Sequence, residues 1–239
     1  GDGIILVCPS KVADAKMKMY NLDGSEGKMC GNGIRCVGKF LYDHGMVDIN
    51  EKDEITIETL SGIKKLKAYT SGGKVNRLRV DMGKAILEPK EIPVVLDGDK
   101  VVDRPVEIAG KNYNITCVSM GNPHCVVFMD DIDNLDIETV GPEFENDKLF
   151  PERVNTEFVT VLDDHTIKMR VWERGSGETW ACGTGACAVA VAACENGFCK
   201  KGEDIKIKLK GGDLIINYTD ETVYMTGNAE KVFEGEVEV

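Results

Sequence analysis

Two cysteines in glycine-rich turns carry the chemistry that this sequence can offer. Cys182 lies in Ala181-Cys182-Gly183-Thr184-Gly185, and Cys30 lies in Met29-Cys30-Gly31-Asn32-Gly33. Each opens a run that reaches a glycine 15 positions on, at Gly197 and Gly45 (197 − 182 = 45 − 30 = 15). Glycines let the backbone come close at a helix start, and a glycine past the last turn takes the left-handed cap. The pattern predicts a helix with a cysteine at its amino end, twice. Sulfur in that place meets unpaired N–H groups and the positive end of the helix dipole, which favour thiolate. The same N–H groups bind a carboxylate and stabilise charge as it turns into an enolate. Two such units facing each other would hold a carboxylate with a sulfur on either side of the adjacent carbon. One thiolate removes the α-proton and the other thiol returns a proton on the opposite face, inverting the stereocentre without metal or organic cofactor. Two interacting thiols titrate as a pair, so one is ionised at neutral pH.

The two cysteines belong to a longer repeat with an offset of 152 (182 − 30). Without a gap it lays Lys16-Met17-Lys18-Met19-Tyr20-Asn21 on Lys168-Met169-Arg170-Val171-Trp172-Glu173, Glu26 on Glu178, and Gly33 on Gly185. Downstream, Ile55-Thr56-Ile57-Glu58 to Gly62 matches Ile205-Lys206-Ile207-Lys208 to Gly212, and strands closing with glycine follow at 78–83 and 222–227. A copy of half the chain is far longer than the period of a solenoid array. It predicts two similar domains, each presenting one cysteine-bearing helix end.

Composition bounds the rest. The 239 residues suffice for one large or two small cores, and 42% of them are hydrophobic. No apolar run approaches the ~20 residues of a membrane helix, and no secretion signal is evident at the start. A net charge of −12 argues against nucleic acid or an anionic membrane as partner. Nine cysteines, an odd number with no C-x-x-C among them, point to reduced thiols in the cytoplasm rather than a disulfide framework or a zinc ribbon. Cys36, Cys187 and Cys194 on the helices, and Cys117 and Cys125 beside an apolar strand, read as small buried hydrophobes.

Along the chain, residues 1–9 read as a turn feeding a strand that stops at Pro9, and 15–20 as a second strand before a turn at 21–25. Residues 48–83 form a meander turning at Ser61-Gly62 and at Ser71-Gly72-Gly73. The stretch from Met82 to Pro93 reads as a linker, and Val94 to Val106 as a hairpin with its tip at Asp97-Gly98-Asp99. Strands are expected at 113–120, 125–129, 156–162 and 166–172, with a further strand in the last eleven residues. A helix at 134–146 is expected to break at Gly141-Pro142. The helix after Cys182 has no polar face from Ala186 to Cys194 and should be buried all round.

Beside the two cysteines, three places hold polar groups with both plain and chemical readings. His124 is either a hydrogen-bonded loop residue or a site residue. Glu173-Arg174 is a solvated pair or a ligand pair, and Asn155 is a turn cap or a ligand.

Taken together, Met29-Cys30-Gly31-Asn32-Gly33-Ile34-Arg35-Cys36, Gly121-Asn122-Pro123-His124, Pro151-Glu152-Arg153-Val154-Asn155, Trp172-Glu173-Arg174-Gly175 and Ala181-Cys182-Gly183-Thr184-Gly185 resemble the diaminopimelate epimerase family, in its order and over nearly the whole chain. The resemblance implies an α+β fold of two pseudo-symmetric domains, each a mostly antiparallel sheet wrapped around a central helix. The first would comprise residues 1–85 rejoined by 229–239, and the second residues 86–228. It implies interconversion of LL- and meso-2,6-diaminopimelate in lysine and peptidoglycan precursor synthesis, with no cofactor and no metal. Cys30 and Cys182 match the acid/base pair, the first usually cast as donor and the second as acceptor. His124 and Glu173 match groups that assist them. Gly31, Asn32, Gly183 and Thr184 match the backbone cradle of the reacting carboxylate. Asn21, Asn122, Asn155, Glu173 and Arg174 match the residues that hold substrate, Arg174 at its distal carboxylate.

The same resemblance implies a small-molecule substrate, neither nucleic acid nor membrane as partner, a cytoplasmic location and room for a homodimer. Family members carry an HGxGNDF-like motif upstream of the point where this sequence starts, so weak or no turnover is expected of the polypeptide as given. Two other readings stay open on the residues alone. One is another two-cysteine racemase acting on a smaller substrate, which would not need Arg174. The other is a non-enzymatic thiol module that binds metal or serves redox chemistry.

Overall fold

The fold was taken from a computed structural model, which describes residues 3–21, 23–49 and 54–236. The chain divides into two compact units, Gly1–Asp81 with Thr226–Val239, and Met82–Met225.

In the first unit, β1 (Gly3–Cys8) and β2 (Ala15–Asn21) pair antiparallel, and the short β3 (Glu26–Gly27) folds back on β2. α1 (Gly31–Asp43) follows, then β4 (Ile55–Thr59), β5 (Gly62–Ser71) and β6 (Lys74–Asp81). The sheet runs β1-β2-β4-β5-β6, antiparallel except for β2 with β4. Alternation of isoleucine with polar residues in β4 buries Ile55 and Ile57, as a sheet with one covered face requires. The covering element is α1, which buries Ile34, Val37 and Leu41. Gly38 is its contact point: a Cβ there would lie 2.6 Å from a methyl of Leu78 and 2.9 Å from one of Leu66.

The second unit begins where a linker is expected, and the structure corrects that expectation. Ala85, Pro89, Ile92 and Val94 are buried, Ile86 bridges to Ser119, and Pro89–Glu91 is a single 3-10 turn. The glycine, prolines and charges are real chain-bending signals, but the apolar residues between them are drawn into the core. The hairpin also falls elsewhere. β7 (Arg104–Ile108) turns into β8 (Lys111–Ser119) at Ala109-Gly110, both with positive φ (51° and 75°), and not at Asp97–Asp99. The primed turn matches the twist of its strands.

β9 (Pro123–Phe128), α2 (Ile137–Glu145), β10 (Asn155–Asp163), β11 (Thr166–Glu173), β12 (Gly177–Thr179), α3 (Gly183–Glu195), β13 (Asp204–Leu209), β14 (Gly212–Tyr218) and β15 (Val223–Asn228) complete the order. The sheet path is β15-β14-β13-β11-β10-β9-β8-β7, with β12 on β11; β11 runs parallel to β13, and β9 to β10. β15 carries the chain back into the first unit.

α2 does not break at Gly141-Pro142 but continues through Pro142. Its buried Ile137, Phe144 and Glu145 hold it down, and Gly141 is needed because a Cβ there would overlap the Trp172 indole. Phe144, Phe150 and Phe158 anchor a core on this side with Ile115, Val127 and Ile132. α3 packs against β8, β9, β10, β13 and β14. With both faces covered, β9 and the first half of β10 are buried residue after residue, the pattern of strands sandwiched between layers.

The duplicated architecture is plain in the elements. α1 and α3 both span 13 residues, and each bound of one moves onto the other by the offset of 152 (31 + 152 = 183; 43 + 152 = 195). The glycines beyond them, Gly45 and Gly197, take φ of 67° and 78°. Ala186 to Ala193 is buried throughout, as a helix apolar on every side must be. Three smaller expectations change. Cys36 is exposed on the outer side of α1, and Cys194 is only half-buried because it lies in the last turn of α3, where the cover ends. No strand forms over residues 229–236. The expectations for positions 1, 2, 22, 50–53 and 237–239 lie outside the described residues.

Candidate active site

In the first unit the candidate residues gather at the amino end of α1. Cys30 is the N-cap, with extended backbone (φ −128°, ψ 117°), and its sulfur accepts from the Gly33 N–H at 3.3 Å. An extended residue before the first turn is what aims a capping side chain at the N3 N–H. Gly31 and Asn32 are the first two helical residues. Arg35, buried to 6% exposure, ties this end down: it donates to the Gly31 carbonyl at 3.0 Å, to Asn32 Oδ1 at 3.2 Å and to the Asn228 carbonyl at 3.2 Å. Asn21 closes β2 and is exposed, its side-chain amide donating to Ser25 Oγ at 3.0 Å.

The second unit repeats the device with a different surround. Cys182 caps α3 (φ −116°, ψ 110°) and accepts from the Gly185 N–H at 3.4 Å, with Thr184 Oγ1 3.5 Å from the sulfur. Asn122 donates to Thr184 Oγ1 at 3.3 Å. Its Oδ1 lies 3.1 Å from His124 Nε2, and His124 Nδ1 lies 2.7 Å from Glu157 Oε1, with His124 and Glu157 both 0% exposed. Asn155 opens β10 and spans two segments: it donates to the Pro123 carbonyl at 2.9 Å and accepts from the Arg174 N–H at 3.1 Å. Glu173 Oε1 accepts from Thr179 Oγ1 at 2.5 Å, and Arg174 Nη1 donates to the Glu152 carbonyl at 2.9 Å. Thus Asn122, His124, Thr184 and Cys182 come together in one hydrogen-bonded group, while Asn155 positions Arg174.

The electrostatics correct one expectation. Burial pushes the Cys182 thiol well above its ordinary value, and the carboxyls of Glu173 and Glu157 push the same way; the Thr184 hydroxyl and the Gly185 N–H oppose them. The helix end therefore does not win at Cys182, because desolvation and two nearby acids outweigh the dipole. Glu157 is itself raised, by burial first, with His124 pulling it down and Glu173 adding to the rise.

Two buried acids beside the candidate residues escape a reading of the sequence. Glu157 sits in an apolar strand, and the signal is an acid at an inward position among residues that are all buried. Glu145, buried on α2, accepts from Trp172 Nε1 at 2.7 Å, the Gly175 N–H at 2.9 Å and Arg153 Nη1 at 3.0 Å. It holds the turn after Glu173-Arg174. No group of three or more His, Cys, Asp or Glu side chains is placed to hold a metal ion among the described residues.

The family model of diaminopimelate epimerase matches residues 1–88 and 116–232. The chain belongs to the diaminopimelate epimerase family. Curated diaminopimelate epimerases from Acetivibrio thermocellus and Agathobacter rectalis are 53% identical over 240 residues and 51% identical over 247 residues. The matches cover 100% of this chain and 84% and 85% of those proteins. Two solved structures share the fold. A probable proline racemase from Agrobacterium radiobacter has a TM-score of 0.70 at 17% identity, covering 95% of this chain and 73% of its own. A PhzF-family phenazine biosynthesis protein from Bacillus anthracis has a TM-score of 0.68 at 19% identity, covering 100% and 85%.

All the candidate residues fall inside the two stretches that match the epimerase family. The unmatched 89–115 holds the 3-10 turn, β7 and the start of β8, none of which bears a candidate residue. Membership thus covers both cysteine caps and the group around Cys182. No helix among the described residues is long and apolar enough to cross a membrane.

Proposed function

We propose that this chain is a diaminopimelate epimerase that interconverts the LL and meso forms by a two-base proton transfer at the α-carbon. The observation that carries the reading is the repeated cap: Cys30 and Cys182 each precede a 13-residue helix and each accept from the N–H three residues on. In the reaction one cysteine, as thiolate, takes the α-proton and the other, as thiol, delivers a proton to the opposite face. The roles exchange with the handedness of the substrate. The N–H groups of Gly31, Asn32, Gly183 and Thr184, at the helix starts, stabilise the carboxylate as its charge grows. Asn21, Asn122, Asn155 and Glu173 hold the substrate backbone and amine, and Arg174 takes the distal carboxylate. His124 and Glu173 assist the thiols. Burial raises the Cys182 thiol, which favours its protonated form until substrate and the facing base are in place.

The two compact units act as the two halves of the enzyme, which works in the cytoplasm; nine free cysteines suit a reducing compartment. The test is solvent-deuterium incorporation into diaminopimelate with no added cofactor. Cys30→Ser and Cys182→Ser should each abolish exchange in at least one substrate direction. Full exchange in both directions in both variants overturns the scheme.

A further inference from the structure

Glu157 has no role in the reading above, yet the fold does not ask for an acid where it stands. The offset of 152 places it on Ile5 (157 − 152 = 5), and strand register agrees. Ile5 pairs with Met19 and Glu157 with Val171 (19 + 152 = 171). The helix contact agrees too, since a Cβ on Gly33 would strike Ile5 and one on Gly185 would lie 2.6 Å from Glu157 Oε1. The first unit fills this place with an aliphatic side chain. The second fills it with a carboxyl that is 0% exposed and whose Oε2 has no hydrogen-bond partner among the described residues. A buried acceptor left unpaired is costly, most of all when ionised.

What the carboxyl touches explains its presence. Asn122 gives its amide N–H to Thr184 Oγ1, so its Oδ1 is the atom that faces His124 Nε2. A carbonyl oxygen only accepts, so Nε2 must carry a hydrogen. Nδ1 then meets Glu157 Oε1 at 2.7 Å. An unpaired Oε2 under complete burial favours the neutral carboxyl, which then donates to Nδ1. From there every donor points one way: Nε2–H to Asn122 Oδ1, Asn122 Nδ2–H to Thr184 Oγ1, and the Thr184 hydroxyl hydrogen, its oxygen already engaged, to Cys182 Sγ 3.5 Å away.

We propose that Glu157 is a positioning residue for the Cys182 thiol, fixing His124 with its hydrogen on Nε2 so that His124, Asn122 and Thr184 form one run of donors ending at the sulfur. As Cys182 gives up its proton the run stabilises the new thiolate, and a Glu157 that keeps its own proton lifts the repulsion its charged form would exert on the sulfur. The ionisable neighbours of the pair are Cys125 on β9, Glu173 at the end of β11 and Cys182 itself. The catalytic meaning rests on the epimerase reading, but the alignment of donors does not.

Two measurements without substrate test it: nitrogen-15 NMR of the His124 ring, and the iodoacetamide alkylation rate of Cys182 at about pH 8, read on its own peptide by mass spectrometry. The first unit shows that the site accepts isoleucine, so Glu157→Ile should fold. The native ring should show the Nε2–H form. Glu157→Gln, whose amide can donate to Nδ1, should keep that form and alkylate within about twofold of native. Glu157→Ile should mix the ring forms and slow alkylation about tenfold, the size of one pKa step, and Thr184→Val should slow it alike.

A native Nδ1–H ring overturns the proposal. So does a Glu157→Ile rate that is unchanged or faster, the latter being the signature of a removed negative charge, and so does Glu157→Gln as slow as Glu157→Ile. Should Glu157→Ile not fold, the native ring, Glu157→Gln and Thr184→Val decide. Loss of deuterium exchange alone would refute the epimerase reading and leave these outcomes standing.

Discussion

The matched glycines Gly33 and Gly185 offer a sharp comparison, because the same substitution meets different neighbours. Alanine inside a helix is favoured over glycine by about 1 kcal/mol, so each change begins with a gain. At Gly33 the new Cβ meets the terminal methyl of the half-buried Ile5, which a side-chain rotation moves aside for roughly 0.5–1.5 kcal/mol. Gly33→Ala should therefore be near neutral. At Gly185 the Cβ falls 2.6 Å from Glu157 Oε1 and 3.3 Å from the Cys182 Cβ and Sγ. Ordinary contact needs about 3.4 Å, so Oε1 must give way by about 0.8 Å. That can stretch its 2.7 Å bond to His124 to about 3.5 Å, beyond useful length. Overpacking of about 1–3 kcal/mol and a weakened buried hydrogen bond of about 1–3 kcal/mol, less the helix gain of about 1 kcal/mol, leave a net loss centred on roughly 3 kcal/mol. Thermal unfolding should show Gly185→Ala lower by roughly 5–10 °C and Gly33→Ala close to native. Deuterium exchange by Gly185→Ala should fall about tenfold or more, as the donors around Cys182 lose register. Equal stability and equal exchange in the two variants would refute the reasoning.

Other perturbations follow from the same contacts. Glu145→Ala leaves Trp172 Nε1 and the Gly175 N–H without their acceptor; a loss of about 3 kcal/mol is expected, with KM rising more than kcat falls because the Arg174 turn loosens. An unchanged KM would show that Glu145 does not hold that turn. Burial alone would raise the Glu178 carboxyl, but Arg170 and Lys210 donating to it hold it below the ordinary range. A depressed folded value contributes stability present above the unfolded value and lost as pH falls through the folded one. Glu178→Gln should thus be less stable than native by about 1–2 kcal/mol at neutral pH, the gap closing below about pH 4; a gap constant with pH in urea unfolding would contradict this.

Local signals in the chain specify the two capped helices, because everything they need lies within 16 residues: a cap, small apolar residues and a terminal glycine free to take positive φ. The strands of the meander are equally local. What stayed hidden depends on partners distant in sequence. Ile92 reads as linker and Val94 as the start of a hairpin until the fold gathers both into one core with Phe150 and Ile115. Pro142 reads as a helix break until Trp172, thirty residues on, takes the space beside Gly141. Glu157 reads as one more strand residue because His124 is 33 positions away. The dipole argument for Cys182 failed for the same reason: it counts the helix end, which is local, and omits Glu157 and Glu173, which the fold brings in.

The duplication separates what the fold requires from what the chemistry requires. Where the copies agree apart from the two cysteines themselves, as at the N3 glycines and the glycines past the helix ends, a backbone geometry is being kept. Where they differ inside that shared frame, packing is no longer the reason. Arg35 lies on Cys187 (35 + 152 = 187), Asn32 on Thr184, Asn21 on Glu173 and Ile5 on Glu157. The first unit thus puts a buried guanidinium within one turn of its cysteine, and the second puts two acids around its own. An enzyme that moves a proton between two sulfurs needs them unequal at rest, for two thiols of equal affinity offer no defined starting state. Unlike surroundings on a like scaffold meet that need, and exchanging Ile5 and Glu157 between the copies is the change that should disturb it most with the least disturbance of the core.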